Sequence, residues 1–75
     1  MDTSAHQALL SVTVNGTVRQ LSQPMSVAAF IEQSGLAAKR IAVERNGAIV
    51  PRSRLPEVWL MDGDRLEIVV AVGGG

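Results

Sequence analysis

Two asparagine–glycine pairs, Asn15-Gly16 and Asn46-Gly47, constrain the fold of this chain more than any other feature. Asn-Gly is the preferred pair for a two-residue type I′ hairpin turn, because both residues tolerate positive φ. The flanks of each pair read as strands. Leu10, Val12 and Val14 alternate with Ser11 and Thr13, the period-two pattern of a half-buried strand, and Thr17 to Leu21 is the return. A two-residue turn there opposes Val14 to Thr17, Val12 to Arg19 and Leu10 to Leu21. That puts Arg19 on the face of the core candidates, so either a bulge shifts the register or Arg19 lies at the rim with its stem buried. Around the second pair, Ile41 to Arg45 is a third strand, and a two-residue turn opposes Val43 to Val50 on one buried face. Pro51 cannot donate to a ladder, which makes the fourth strand short and places it near an edge.

Between the hairpins lies a short helix. Ser26 can cap it by accepting from a free amide of the first turn. Met25 and Phe30 stand where a hydrophobic staple needs them. Val27, Phe30 and Ile31 share one face, and Gly35 with Leu36 fits a Schellman ending in which Leu36 meets Ile31. Arg52 to Leu60 is a connection anchored by Leu55, Val58, Trp59 and Leu60, with room for one helical turn. Met61-Asp62-Gly63-Asp64 is a turn. The last strand is apolar at nearly every position from Leu66 to Val72, as expected of a strand with neighbours on both sides. Hairpin, helix, hairpin, connection and strand make an α+β chain of β-grasp (ubiquitin-like) type. Its mixed four- to five-stranded sheet carries one main helix on one face, with the last strand central beside the first. The expected organisation is a flexible segment at 1–7, the domain at 8–72 and a flexible glycine tail at 73–75.

At 75 residues there is room for one domain. Seven basic and seven acidic residues balance to zero formal charge, which leaves no electrostatic footprint for nucleic acid or an anionic membrane. No cysteine is present, so disulfides and thiolate metal sites are excluded. No apolar run approaches the roughly 18 residues of a membrane span. Residues 1–7 lack the basic start and apolar middle of a signal peptide. A soluble, cytoplasmic protein is the expectation.

The candidate for chemistry is the ending Gly73-Gly74-Gly75, which follows an apolar strand directly. The bland alternative is a frayed terminus. Glycine at such a place threads a narrow channel, leaves the terminal carbonyl uncrowded and gives reach. Ordering such a tail costs roughly 1–2 kcal/mol per residue, which a partner must supply. His6 is the lone histidine, so a metal site or a triad is disfavoured against a solvated side chain. Asp62-Gly63-Asp64 reads as a turn with local side-chain bonds before it reads as a cation site. Trp59 and Met61 could belong to an interface, but a lone Trp is more often a core or core-lid residue. Lys39, Arg40, Arg45, Arg52 and Arg54 read as solvated surface, part of which could steer an acidic partner. No catalytic residue and no metal ligand is assigned.

Taken together, the run from Ile41 to Arg52 through Asn46-Gly47 and Pro51, then Trp59, Asp62-Gly63-Asp64 and the strand ending in glycines, resembles the ThiS/MoaD family of ubiquitin-like sulfur carriers, ThiS in particular. The likeness covers nearly all the chain after about residue 8. It implies a carrier and not an enzyme. A ThiF-like adenylating enzyme would use ATP and Mg²⁺ to convert the Gly75 carboxylate to an acyl-adenylate. Sulfur from a donor such as a cysteine desulfurase would then give a thiocarboxylate. A ThiG-like thiazole synthase would take that sulfur into the thiazole of thiamin. Gly75 is the carrier atom's residue, and Gly73 and Gly74 thread the tail. Val69 and Ala71, alternating with core-facing Ile68 and Val70, are candidate docking residues by parity. Sulfur delivery to molybdopterin or another metabolite, or a protein-modifier role, are the alternatives.

Overall fold

The computed structural model describes residues 9–71. Both Asn-Gly turns adopt the backbone that their composition favours. Asn15 and Gly16 have φ of 51° and 86°, and Asn46 and Gly47 have φ of 53° and 89°. The first turn joins β1 (Leu10–Val14) to β2 (Thr17–Leu21), with Leu10 opposite Leu21, Val12 opposite Arg19 and Val14 opposite Thr17. The register is unbroken, so the rim position and not a bulge accommodates Arg19. Its guanidinium carbon lies 5.7 Å from the centroid of the Phe30 ring. The side chain thus covers the edge of the core with an aliphatic stem and a cation–π contact.

Helix α1 (Val27–Gln33) has its first free amides satisfied one by one. Val27 N–H donates to the Val58 carbonyl at 2.8 Å, and Ala28 N–H to the Leu55 carbonyl at 3.0 Å. Ser26 Oγ accepts from Ala29 N–H at 3.1 Å. The staple residues Met25 and Phe30 are both buried, as are Val27 and Ile31. At the other end Gly35 has φ of 78°, a left-handed value that glycine adopts freely. Gly35 N–H donates to Glu32 and Leu36 N–H to Ile31, each at 3.1 Å, the two bonds of a Schellman ending.

The second hairpin joins β3 (Ile41–Arg45) to the three-residue β4 (Ala48–Val50), with Val43 opposite Val50. A 3-10 turn at Arg52–Arg54 supplies the helical turn of the connection. The closing strand β5 (Arg65–Val70) lies in the middle of a sheet ordered β2-β1-β5-β3-β4. It runs parallel to β1 and antiparallel to β3. The helix face packs on one side of this sheet. Val12, Val43, Leu66 and Ile68 from the strands meet Val27, Phe30 and Ile31, and Leu55 and Leu60 from the connection complete the core. Among the described residues no helix is long and apolar enough to cross a membrane.

Two burial expectations are corrected. Trp59 is no core lid: it is 55% exposed, because Val58 and Leu60 on either side are drawn inward by the bonds that tie them to the helix start. Leu60 N–H donates to the Met25 carbonyl at 3.0 Å and Leu60 is buried, so alternation turns the indole outward beside Met61, which is also exposed. Val70 shares the parity of Ile68 but is 38% exposed, since β1 ends at Val14 and among the described residues no strand flanks Val70 on that side. Residues 1–8 and 72–75, including Val72 and the expected flexible segments, lie outside the described residues.

Candidate functional site

β5 is the strand that leads to the glycines, and both hairpin turns are fastened to it. In the β1 turn, Asn15 N–H donates to the Leu66 carbonyl at 2.9 Å. The Asn15 side chain then makes two further bonds. Its Oδ1 accepts from Ile68 N–H at 2.7 Å, and its Nδ2 donates to the Ile68 carbonyl at 3.0 Å. A side-chain amide here stands in for the next residue of a strand. The β3 turn repeats the device on the other flank. Asn46 N–H donates to the Arg65 carbonyl at 2.8 Å, and Asn46 Oδ1 accepts from Arg65 N–H at 2.9 Å.

Asp64 knots the start of the strand. It is the one buried charged residue among those described. Its Oδ2 accepts from Arg45 Nε and from Met61 N–H, both at 2.8 Å, and its Oδ1 accepts from Asn46 Nδ2 at 3.0 Å. Burial would push the Asp64 carboxyl up. The bonds from Arg45, Asn46 and the Met61 amide, with the Arg45 charge, outweigh that and hold it below its ordinary value. Asp62 Oδ1 accepts from Ser11 N–H at 2.8 Å, and Gly63 N–H donates to the Ser11 carbonyl at 2.7 Å. The Asp-Gly-Asp segment is therefore a hydrogen-bonded turn that joins the connection to β1.

Arg45, expected as solvated surface, is instead the ion-pair partner of Asp64. Arg54 does lie on the surface, 3.0 Å from Glu57 in an exposed pair. The sequence signal for the knot was an acidic residue between the buried Leu60 and Leu66. Reading both turns as backbone devices alone concealed the second use of each asparagine.

The outer face of β5 carries the candidate docking residues. Val69 is 64% exposed and Ala71 is exposed. The register sets Val69 opposite Ala42, and Ala71 N–H donates to the Arg40 carbonyl at 2.9 Å. Val69, Ala71, Ala42 and Ile41 line one shallow depression with Arg40 and Arg52 at its margin. Parity thus places Val69 and Ala71 together on an accessible apolar surface with basic edges. Gly73, Gly74 and Gly75, and the lone histidine His6, lie outside the described residues.

The comparisons agree with this architecture. The model of the ThiS family matches residues 12–75. The crystal structure of a thiamine biosynthesis protein (ThiS) from Geobacter metallireducens is similar, with a TM-score of 0.75 and 28% identity over 88% of this chain and 100% of that one. A thiazole synthase of Paramagnetospirillum magneticum is 42% identical over 66 residues, 88% of this chain. The chain spans only 20% of that protein's length. A Pyropia yezoensis protein, "Uncharacterized protein ycf40", is 32% identical over 88% of this chain and 93% of its own length. A central β5 clamped by two asparagines, a helix on one face of five strands and a family match that runs through the glycines converge on one conclusion: this chain belongs to the ThiS family.

Proposed function

We propose that this chain carries sulfur for thiamin biosynthesis, as a thiocarboxylate on Gly75. The observation that carries the reading is the family match, which continues through residue 75 and so takes in the glycines beyond β5. The structure supports it by holding β5, the strand that precedes the glycines in the sequence, through Asn15 on one flank and Asn46 on the other.

The chemistry follows from the acyl group. A carboxylate is a poor electrophile because its leaving group would be oxide. A ThiF-like enzyme supplies ATP and Mg²⁺; a Gly75 carboxylate oxygen attacks the α-phosphorus and pyrophosphate departs. The acyl-adenylate now has AMP as its leaving group. A sulfur nucleophile from a donor such as a cysteine desulfurase attacks the carbonyl carbon and AMP leaves. With a donor persulfide the product is an acyl disulfide. A thiol reductant cleaves its S–S bond, becoming disulfide-linked to the donor cysteine and releasing the thiocarboxylate, which a ThiG-like thiazole synthase consumes. This chain acts as co-substrate; ATP and Mg²⁺ belong to the activating enzyme. A stretch similar to this chain lies within a protein named thiazole synthase, which supports that enzyme as the recipient and thiamin over molybdopterin as the product. Gly73 and Gly74 offer no side chain to a narrow channel. The depression at Val69 and Ala71 is the surface on which partners settle.

Complementation tests the reading. In a strain lacking its own thiazole sulfur carrier, the full chain restores growth without thiamin, and the chain lacking Gly75 does not. Growth with the shortened chain would refute the proposed role of Gly75.

A further inference from the structure

The geometry of β5 points to a second partner contact, on the helix side of the sheet and away from Val69 and Ala71; it rests on the carrier reading above. Opposed residues in an antiparallel ladder alternate between bonded and unbonded pairs. The bonds joining Arg65 to Asn46 and Ala71 to Arg40 fix the odd-numbered residues of β5 as those bonded to β3. The even-numbered ones therefore turn their backbone groups toward β1. There Thr13 N–H donates to the Asp64 carbonyl and Asn15 N–H to the Leu66 carbonyl, each at 2.9 Å. The Asn15 side chain serves Ile68. Val70 is the next rung, and β1 has already ended at Val14. Among the described residues no strand stands opposite its N–H and carbonyl on that side.

This open rung borders a groove of about 420 Å³ whose lining includes Arg19, Phe30, Leu36 and Val70, with Asn15, Thr17 and Ser34 as polar members. An extended peptide laid beside Val70 would gain main-chain bonds from β5 and send alternate side chains to the helix side. The groove is apolar at Phe30 and Leu36 and cationic at Arg19, whose guanidinium is already held over the Phe30 ring. Its complement is an extended segment with an apolar residue and a carboxylate on one face.

We propose that such a segment belongs to the adenylating enzyme, and that it pairs with β5 at Val70 while the tail is activated. Chain economy favours this partner. In a relative named thiazole synthase, the similar stretch is part of the same chain, and a tethered recipient has a high effective concentration without a dedicated grip. An activating enzyme on a separate chain must hold the terminal acyl group still by its own contacts, and a bond at Val70 grips β5 a short way before Gly75 in the chain.

Amide exchange followed by NMR on the full chain tests this, with Ala71, already bonded to Arg40, as internal reference. The expected result is that the Val70 amide slows by roughly tenfold or more when the adenylating enzyme is added, as a new backbone bond requires. Arg19→Glu should weaken binding to that enzyme by roughly tenfold, measured well below the melting temperature of each protein, with Arg19→Lys close to the parent. Sulfur loading with an unprotected Val70 amide would overturn the inference and leave the carrier reading intact. Protection by thiazole synthase alone would overturn the choice of partner. Absence of both binding and loading would overturn the carrier reading and the inference with it.

Discussion

Asn15 does for Ile68 what a strand would do: its side-chain amide accepts from the Ile68 N–H at 2.7 Å and donates to the Ile68 carbonyl at 3.0 Å. One residue thus shapes the hairpin with a φ of 51° and extends the ladder past the end of β1. Asn46 grips Arg65 from the other flank, its Oδ1 accepting from Arg65 N–H and its backbone N–H donating to the Arg65 carbonyl.

Separating the two roles of Asn15 is straightforward. Asn15→Gly keeps access to the left-handed backbone and removes both side-chain bonds, leaving part-buried groups of Ile68 without their partner. The expected loss is about 1–3 kcal/mol, read as a lower urea midpoint with an unchanged slope. In a domain of this size each kcal/mol lowers Tm by roughly 4–8 °C.

Asp64 makes stability depend on pH in a definite direction. Its folded-state pKa lies below the ordinary carboxylate value, so its contribution is fully present above that ordinary value. The contribution is lost as pH falls through the folded-state pKa. Asp64→Asn should be less stable at neutral pH by about 2 kcal/mol, since hydrogen bonds to a charged group are lost or weakened. The gap should narrow as both proteins are acidified below the ordinary carboxylate range, a comparison that denaturant titrations at several pH values supply.

Phe30 joins the helix to the sheet and carries Arg19 on its ring. Phe30→Ala should lower stability by about 3–5 kcal/mol, a large share of what so small a domain has. Circular dichroism during thermal unfolding measures it. A variant as stable as the parent would show that the helix packs on something else.

Val69→Glu changes a side chain that is 64% exposed, so stability should move by no more than about 0.5 kcal/mol. Sulfur transfer to thiazole synthase should nonetheless fall, with the loss seen as a raised KM for the charged carrier. An unaltered KM would remove Val69 from the docking surface.

Local rules made much of this fold legible. The Asn-Gly pairs, the Ser26 cap and the Gly35 ending each have a backbone requirement that few residues meet, and the structure places all of them as read. The two-residue turns gave the observed register of the second hairpin, while in the first they left a bulge or a rim position for Arg19 open, and the unbroken pairing of Val12 with Arg19 decides for the rim. What stayed hidden were contacts between residues far apart in the chain. Asp64 reaching Arg45 and Asn46, and Asn15 reaching Ile68 across 53 positions, have no periodic signature. Trp59 was misjudged because composition favours burying a lone indole, whereas the bonds of Val58 and Leu60 to the helix start decide which way it turns. For Val69 and Ala71 parity predicts exposure and the structure shows it, whereas their part in docking is a proposal.

The mass of the intact protein addresses the central claim most directly. After incubation with a ThiF-like enzyme, ATP, Mg²⁺ and a sulfur donor, the full chain should gain the difference between one sulfur and one oxygen atom, located by fragmentation at Gly75. No gain, or a gain located at any other residue, would contradict the account.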